Sequence, residues 1–251
     1  MHPILLEFGG LRIYSYGVLI AAAFLVAMAF TMWEARRREL PGRLVPDLGF
    51  WIIVGALAGS RLLYVLIKPD KFLARPLEVF AVWNGGFVFL GGGLLAGVLG
   101  YLFLRRKKQP ILRWLDAAAP GIALGQAVGR FGCLMAGCCY GKPAPDLPWA
   151  VTFTHPQSLA PLFTPLHPTQ IYHALAGFAT FAILLMVRGR VWAPGRLMGL
   201  FLVLYALFRI IIEFFRGDYR GFAGPVSVTQ ILALAFAGLG VYLLTRKSKA
   251  S

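Results

Sequence analysis

Three arginines sit where charge is costly. Arg61, Arg130 and Arg209 each lie inside or at the edge of a long apolar block, and an ionised side chain at bilayer depth costs on the order of 2.5–3.5 kcal/mol even on lenient insertion scales. Such residues need a partner or a wet cavity, and they mark function by default. A guanidinium offers planar paired donors that match phosphate oxygens and keeps its charge at any physiological pH. Two of them converging near the outer leaflet would clamp a phospholipid head group, and fixed positive charge there would stabilise a departing phosphate. Arg209, Glu213 and Arg216 are spaced i, i+4, i+7 and so share one helical face. The structural alternative is an Arg209–Glu213 salt bridge with Arg216 snorkelling outward.

The stretch Gly129–Gly141 concentrates the remaining chemistry, with all three cysteines, four glycines and Arg130. A disulfide from Cys133 to Cys138 or Cys139 would leave one thiol free. The trio with His155 or His167 could instead hold a soft metal. A catalytic thiol is the third possibility, with Arg130 as the cation that lowers its pKa. Of the histidines, His2 is terminal and His155 lies in a proline-rich segment. His167 opens a helix, where it caps or faces a cavity. His173, six residues on, falls on a different face. The two do not form a metal pair and no carboxylate stands at ligand spacing, so no metal site is assigned.

The elements that must position these residues are membrane helices. The 251 residues are 59 % hydrophobic and 14 % charged, with a mean hydropathy of +0.71; a soluble domain carries about a quarter charged residues. Apolar residues come in seven blocks of about the 20 residues that cross a hydrocarbon core. The simplest architecture is all-α: one seven-helix membrane domain over 1–251. The first block is not a cleaved signal peptide, because it is too long and its basic cluster follows it.

The net charge of +15 does not indicate nucleic acid. Arg36, Arg37, Arg38 and Arg43 follow the first block; Arg105, Arg106, Lys107, Lys108 and Arg113 follow the third. Arg188, Arg190 and Arg196 follow the fifth, and Arg246, Lys247 and Lys249 the seventh. Basic residues thus fill alternate connections, as the positive-inside rule requires, which puts the N-terminus outside and the C-terminus in the cytoplasm.

In chain order, a short arm precedes a first helix at roughly 12–33, with Tyr14 and Tyr16 at its outer end. A second, roughly 45–67, carries Gly55, Gly59, Ser60 and Arg61, a small-residue spacing that lets helices approach closely. The third, roughly 86–104, opens on Gly91-Gly92-Gly93, which predicts either an irregular or re-entrant start beside a site or tight helix packing. A fourth, roughly 113–131, carries Asp116, Gln126 and Arg130. Residues 133–166, with six prolines, read as a small extracytoplasmic cap without long helices. Pro168 suits the first turn of the fifth helix; the sixth spans roughly 196–215 and the seventh roughly 225–245.

Six short motifs in order resemble the bacterial prolipoprotein diacylglyceryl transferases. They are Tyr14-Ser-Tyr16-Gly17, Gly59-Ser-Arg61-Leu-Leu-Tyr64, Val82-Trp83-Asn84-Gly85-Gly86, Gly129-Arg130-Phe-Gly132, His167-Pro168-Thr169-Gln170-Ile-Tyr172, and Tyr205 to Arg216 with Arg209 and Glu213. The resemblance implies transfer of a diacylglyceryl group from phosphatidylglycerol to the lipobox cysteine of a preprolipoprotein, forming a thioether and releasing glycerol 1-phosphate. It implies a multi-pass protein of the bacterial cytoplasmic (inner) membrane, with the same seven-helix, N-out topology and no cofactor. The family's two essential arginines match Arg130 and Arg209, and its tyrosine matches Tyr205; His167 joins these as a catalytic candidate. Tyr16, Arg61, Asn84, Gly85, Gly86, Glu213 and Arg216, with the two arginines, are the expected phosphatidylglycerol contacts.

The chain also departs from the family pattern. Leu90 stands where many members have a histidine. Cys133 and Cys138 replace the usual asparagine and glutamate positions of the signature loop, with Ala136 between them, and His173 replaces a glutamate. A general base is therefore not carried over; His167, His173 and a free cysteine are the candidates. The rival expectation is a catalytically altered paralogue, a phospholipid- or anion-binding transporter or accessory protein.

Overall fold

The computed structural model describes residues 2–80, 85–190, 193–218, 222–223 and 226–246. A hairpin of β1 (Ile4–Phe8) and β2 (Leu11–Tyr14) leads into α1 (Ser15–Arg37), α2 (Val45–Ile67), the short α3 (Pro69–Ala74), α4 (Phe89–Arg106) and α5 (Ile111–Ala136). Then follow β3 (Val151–Thr152), β4 (Pro165–Leu166), α6 (Thr169–Val187), α7 (Arg196–Glu213), β5 (Phe222–Ala223), β6 (Val226–Ser227) and α8 (Val228–Thr245). Long apolar blocks fold as helices because hydrocarbon offers a bare peptide group no partner. Helices α1, α4 and α6, and α2 with the turn before it, are long and apolar enough to cross a membrane. Helices α5 and α7 carry the charged and polar residues of the site, and the apolar stretch Thr229–Thr245 of α8 is shorter.

The chain packs as two compact units, Glu39–Trp114 and the remainder. In the first of these, glycines decide how α2 meets α4. A β-carbon on Gly55 would lie 2.6 Å from the Ala96 Cα, and one on Gly92 would lie 2.7 Å from the Ala56 carbonyl oxygen. Gly59 and Gly91 face each other so closely that a β-carbon on either would overlap the other's carbonyl. The glycine triplet at 91–93 therefore lies inside a continuous helix that begins at Phe89. The irregular start foreseen from its composition does not form, because tight packing against α2 offsets the low helix propensity of glycine.

The other unit is built on a second glycine ridge. Gly121, Gly125, Gly129 and Gly132 of α5 repeat every three or four residues and lie against Ala23, Ala27 and Thr31, with Tyr16 and Leu19 at the upper end of α1. Gly177 brings α6 onto Ala127 of α5, and Gly199 and Gly240 let α7 and α8 cross backbone to backbone. Buried charges fix the helix ends. Asp116 accepts from the backbone N–H groups of Gly195 (2.7 Å) and Met198 (2.9 Å), so that α5 caps α7. Fully buried Glu34 pairs with Arg37, Arg38 and Arg188 at 2.8–2.9 Å, which joins α1 to the end of α6.

Two local features differ from the expectations above. The N-terminal arm is a hairpin whose Gly9-Gly10 turn has φ of +55° and +85°, with a Glu7–Arg12 cross-strand ion pair at 2.7 Å. Two adjacent glycines permit the left-handed turn that matches strand twist. Helix α5 runs to Ala136, which places Cys133 on the helix rather than in the loop after it. The proline-rich segment beyond α5 has no long helix. It folds on a small core of Leu134, Phe153, Ala160 and Leu166 with the β3–β4 ladder.

Candidate active site

Helices α5, α6 and α7 line one cavity. From α5 come Ala123, Gln126 and Arg130; from α6 come His173, Ala176, Gly177 and Thr180; from α7 come Phe201, Tyr205, Phe208 and Arg209. The spacings are one and two helical turns, so each helix presents a single stripe to the cavity. The small residues Ala176 and Gly177 leave the space between the stripes. The Tyr205 ring is fixed by stacking on Phe201 and by an edge contact with Phe236.

The two arginines of the cavity are held differently. Arg209 is buried and its Nη2 lies 2.9 Å from Glu213 Oε2, one turn along α7. Glu213 in turn accepts from the hydroxyls of Ser227 and Thr229, both at 2.9 Å. Arg209 Nη1 lies 3.2 Å from His173 Nε2, and Arg216 Nη1 approaches the same nitrogen at 3.5 Å. Since a guanidinium only donates, His173 must be the neutral tautomer with Nε2 as acceptor. Among the described residues Arg130 has no carboxylate partner. Among the described residues, the cavity therefore carries a positive charge at Arg130 that no carboxylate balances.

Arg216 does not snorkel. Helix α7 ends at Glu213, and the turn after it brings the buried Arg216 back so that its Nε and Nη2 donate to Asp218 at 2.6–2.8 Å. The shared helical face read for Arg209, Glu213 and Arg216 thus holds for the first two residues only. The Arg209–Glu213 bridge is formed, and the turn redirects Arg216 to the His173 side.

His167 lies off the cavity. Its Nδ1 is 3.3 Å from the Tyr172 hydroxyl, which also accepts from the Trp149 indole at 3.0 Å, and its ring packs against Phe215. His173 is the histidine that faces Arg130, Arg209 and Tyr205. The i, i+6 spacing separates the two, but only packing chooses which one turns inward. Tyr16 lies at the start of α1, where Gly132 leaves room for its ring and carbonyl two residues from Arg130.

The sulfurs of Cys133, Cys138 and Cys139 lie within 4.8 Å of one another. Thr169 donates to the Cys139 carbonyl at 2.7 Å and Gln170 to the Cys138 carbonyl at 2.8 Å, so the start of α6 pins their loop. Hydrogen bonds from Cys133 and Cys138, with help from the charge of Arg216, hold the Cys139 thiol below the ordinary thiol range. Cys138, which keeps the proton, is pushed above that range by the same contacts. The glycines of the stretch are there for close approach: a β-carbon on Gly141 would run into His167 and the Phe215 carbonyl, and Gly137 has φ +73°.

In the other unit, Arg61 is committed to the protein itself. Nε donates to the Val79 carbonyl (3.0 Å), Nη2 to that of Glu78 (2.5 Å), and Nη1 to those of Gly85 (2.5 Å) and Gly86 (3.2 Å). The rings of Tyr64 and Phe72 flank its charge at 5.8 and 5.5 Å. Gly85 and Gly86 adopt φ of +71° and +81°, and Gly86 abuts the Tyr64 ring. These contacts give Arg61 a loop-holding role, and its expected contact with phosphatidylglycerol stands as a proposal. Asn84 lies outside the described residues. Asp218, Ser227 and Thr229 are site partners that the sequence reading did not single out. The capping box formed by Ser227 and Gln230 at the start of α8 was a visible signal for the last two.

A helical protein with membrane-spanning segments and a polar, cationic cavity between three helices is the class that fold and site define. The family model of prolipoprotein diacylglyceryl transferase matches residues 3–246. The phosphatidylglycerol–prolipoprotein diacylglyceryl transferase of Bordetella bronchiseptica is 37 % identical over 259 residues, covering 98 % of this chain and 95 % of the relative. That of Clostridium tetani is 34 % identical over 243 residues (97 % and 96 %), and that of Gloeobacter violaceus 34 % over 256 residues (98 % and 94 %). The chain belongs to the prolipoprotein diacylglyceryl transferase family.

Proposed function

We propose that the protein transfers the diacylglyceryl group of phosphatidylglycerol to the cysteine of a prolipoprotein lipobox. It does so in the bacterial cytoplasmic membrane, as a seven-span protein with its N-terminus and the 133–166 cap outside. The observation that carries this reading is Arg130, which lines the cavity together with the braced Arg209 and has no carboxylate partner among the described residues. Family membership and the basic residues of alternate connections support it. The names of the relatives supply the donor and acceptor classes.

The reaction replaces a carbon–oxygen bond by a carbon–sulfur bond. The thiol of the acceptor loses its proton, its sulfur attacks the diacylglycerol carbon that bears the phosphate, and glycerol 1-phosphate leaves with the bonding electron pair. Negative charge grows on the phosphate oxygens as that bond breaks. Arg130 meets this charge with a planar fork of donors, and Arg209 adds a second, its orientation held by Glu213 and His173. In this reading the Tyr205 hydroxyl, which lines the same cavity, donates to a phosphate or bridging oxygen. His173 itself is a poor base, since two guanidiniums already address its open nitrogen. Its role here is to space Arg209 and Arg216.

Purified protein given phosphatidylglycerol and a lipobox peptide should yield the thioether-linked product by mass spectrometry. Verified folded protein that makes no thioether with any phospholipid donor would overturn the reading.

A further inference from the structure

We propose that Cys133, Cys138 and Cys139 form a three-thiolate site for a thiophilic closed-shell metal ion such as Zn²⁺. The inference rests on the geometry of the cysteines and not on the transferase reading.

The three sulfurs already converge, with no pair farther apart than 4.8 Å. Zinc–thiolate bonds of about 2.3 Å at tetrahedral angles require sulfurs about 3.8 Å apart, so the trio closes on an ion by side-chain movements of roughly 1 Å or less. The backbone is held for this purpose. The Cys138 N–H returns to the Cys133 carbonyl at 3.1 Å, and Thr169 and Gln170 fix the Cys139 and Cys138 carbonyls from α6. Cys139 takes φ +62°, a strained value for a non-glycine residue, and that turn of the chain brings its side chain into the group. All three residues are half-buried, which leaves an entry path.

Thiolates are soft ligands that select ions such as Zn²⁺ and Cu⁺. Binding releases to solvent the protons that the thiols still hold and leaves a divalent ion on three thiolates with a net charge of −1. Arg216 lies beside Cys139, and Arg130 is three residues before Cys133, so cationic side chains border this residual charge. Adjacent cysteines are a poor disulfide pair: consecutive Cα atoms are about 3.8 Å apart, whereas a disulfide prefers about 5.5–6 Å. A Cys138–Cys139 bond is therefore disfavoured in competition with the ion. The fourth ligand envisaged from the sequence, His155 or His167, is not part of the group among the described residues. A fourth zinc position would thus be open to water. The ion would tie the end of α5 to the loop that the start of α6 pins, and stiffen the helical turn that carries Arg130.

The test uses the full-length protein in detergent, purified under reducing, oxygen-free conditions. Titration with Cd²⁺ should produce sulfur-to-metal charge-transfer absorption that saturates at one ion per chain. Stoichiometric Zn²⁺ should slow N-ethylmaleimide labelling of the cysteines by about tenfold or more, because a metal-bound thiolate is protected. Cys139→Ser and Cys133→Ser should each lose both signals. Labelling rates unchanged by Zn²⁺ in the unaltered protein, or full Cd²⁺ absorption in either serine variant, would overturn the proposal. So would a Cys133–Cys138 or Cys133–Cys139 disulfide found by peptide mapping of protein taken directly from cells. None of these readouts depends on transfer activity.

Discussion

Arg61 and Arg130 are both arginines of apolar helices, and the protein uses them in opposite ways. The Arg61 donors reach four backbone carbonyls between Glu78 and Gly86, and two aromatic rings enclose the charge. Its hydrogen bonds tie Glu78, Val79, Gly85 and Gly86 to α2. Arg130 meets no carboxylate among the described residues and faces a cavity with Tyr205 and Arg209. An intramembrane arginine therefore does not by itself mark a ligand site. What separates the two is whether the donors end on the protein or on open space.

The largest expected effect is that of Arg130→Ala, which should lower thioether formation by about 10²–10³-fold or more, as removal of a transition-state donor does elsewhere, while the melting temperature stays close to that of the parent. Arg130→Lys should recover only part of the activity, since an ammonium lacks the paired planar donors. Near-normal activity in the alanine variant would erase the contrast with Arg61. Arg209→Ala should damage both activity and stability, because it leaves half-buried Glu213 without its ion pair; breaking a fully buried pair costs about 3–5 kcal/mol, and this partly exposed one less. Glu213→Gln in the same background should recover stability without activity.

Arg61→Ala should show the reverse profile. We expect a loss of about 3 kcal/mol from several charge-assisted bonds, read by thermal unfolding, with turnover per folded molecule within a few-fold of the parent. Turnover falling as far as in Arg130→Ala, at unchanged stability, would return Arg61 to the phosphate-binding set. Next comes Gly91→Ala, which forces a β-carbon against Gly59 at the α2–α4 crossing and should destabilise by about 1–3 kcal/mol. The smallest effect is that of Asp218→Asn, which weakens the anchor of Arg216 and should cost about 1 kcal/mol.

Much of the site was legible from residue chemistry. An arginine in an apolar block stands out, and the i, i+4 relation of Arg209 and Glu213 foretells their bridge. The glycine triplet at 91–93 was read as a break or as packing, and only the facing Gly59 decides for packing. The ridge of Gly121, Gly125, Gly129 and Gly132 has a visible period, yet the sequence does not say that α1 fills it. His167 was the histidine placed among the catalytic residues, with His173 only a candidate base, since six residues of separation puts them on different faces without telling which face is inside.

The sequence by itself determined the membrane class, the helical blocks, the family and the presence of buried guanidinium groups. These follow from local hydropathy and residue type, which do not depend on distant contacts. The tertiary structure alone decided which arginine is open and which is committed, which histidine lines the cavity, and that three cysteines spread over seven residues share one locus. Each of those outcomes turns on where a side chain's donors or sulfur atoms end in space. That is set by the packing of helices far apart in the chain, through contacts of a few ångströms that no local pattern encodes.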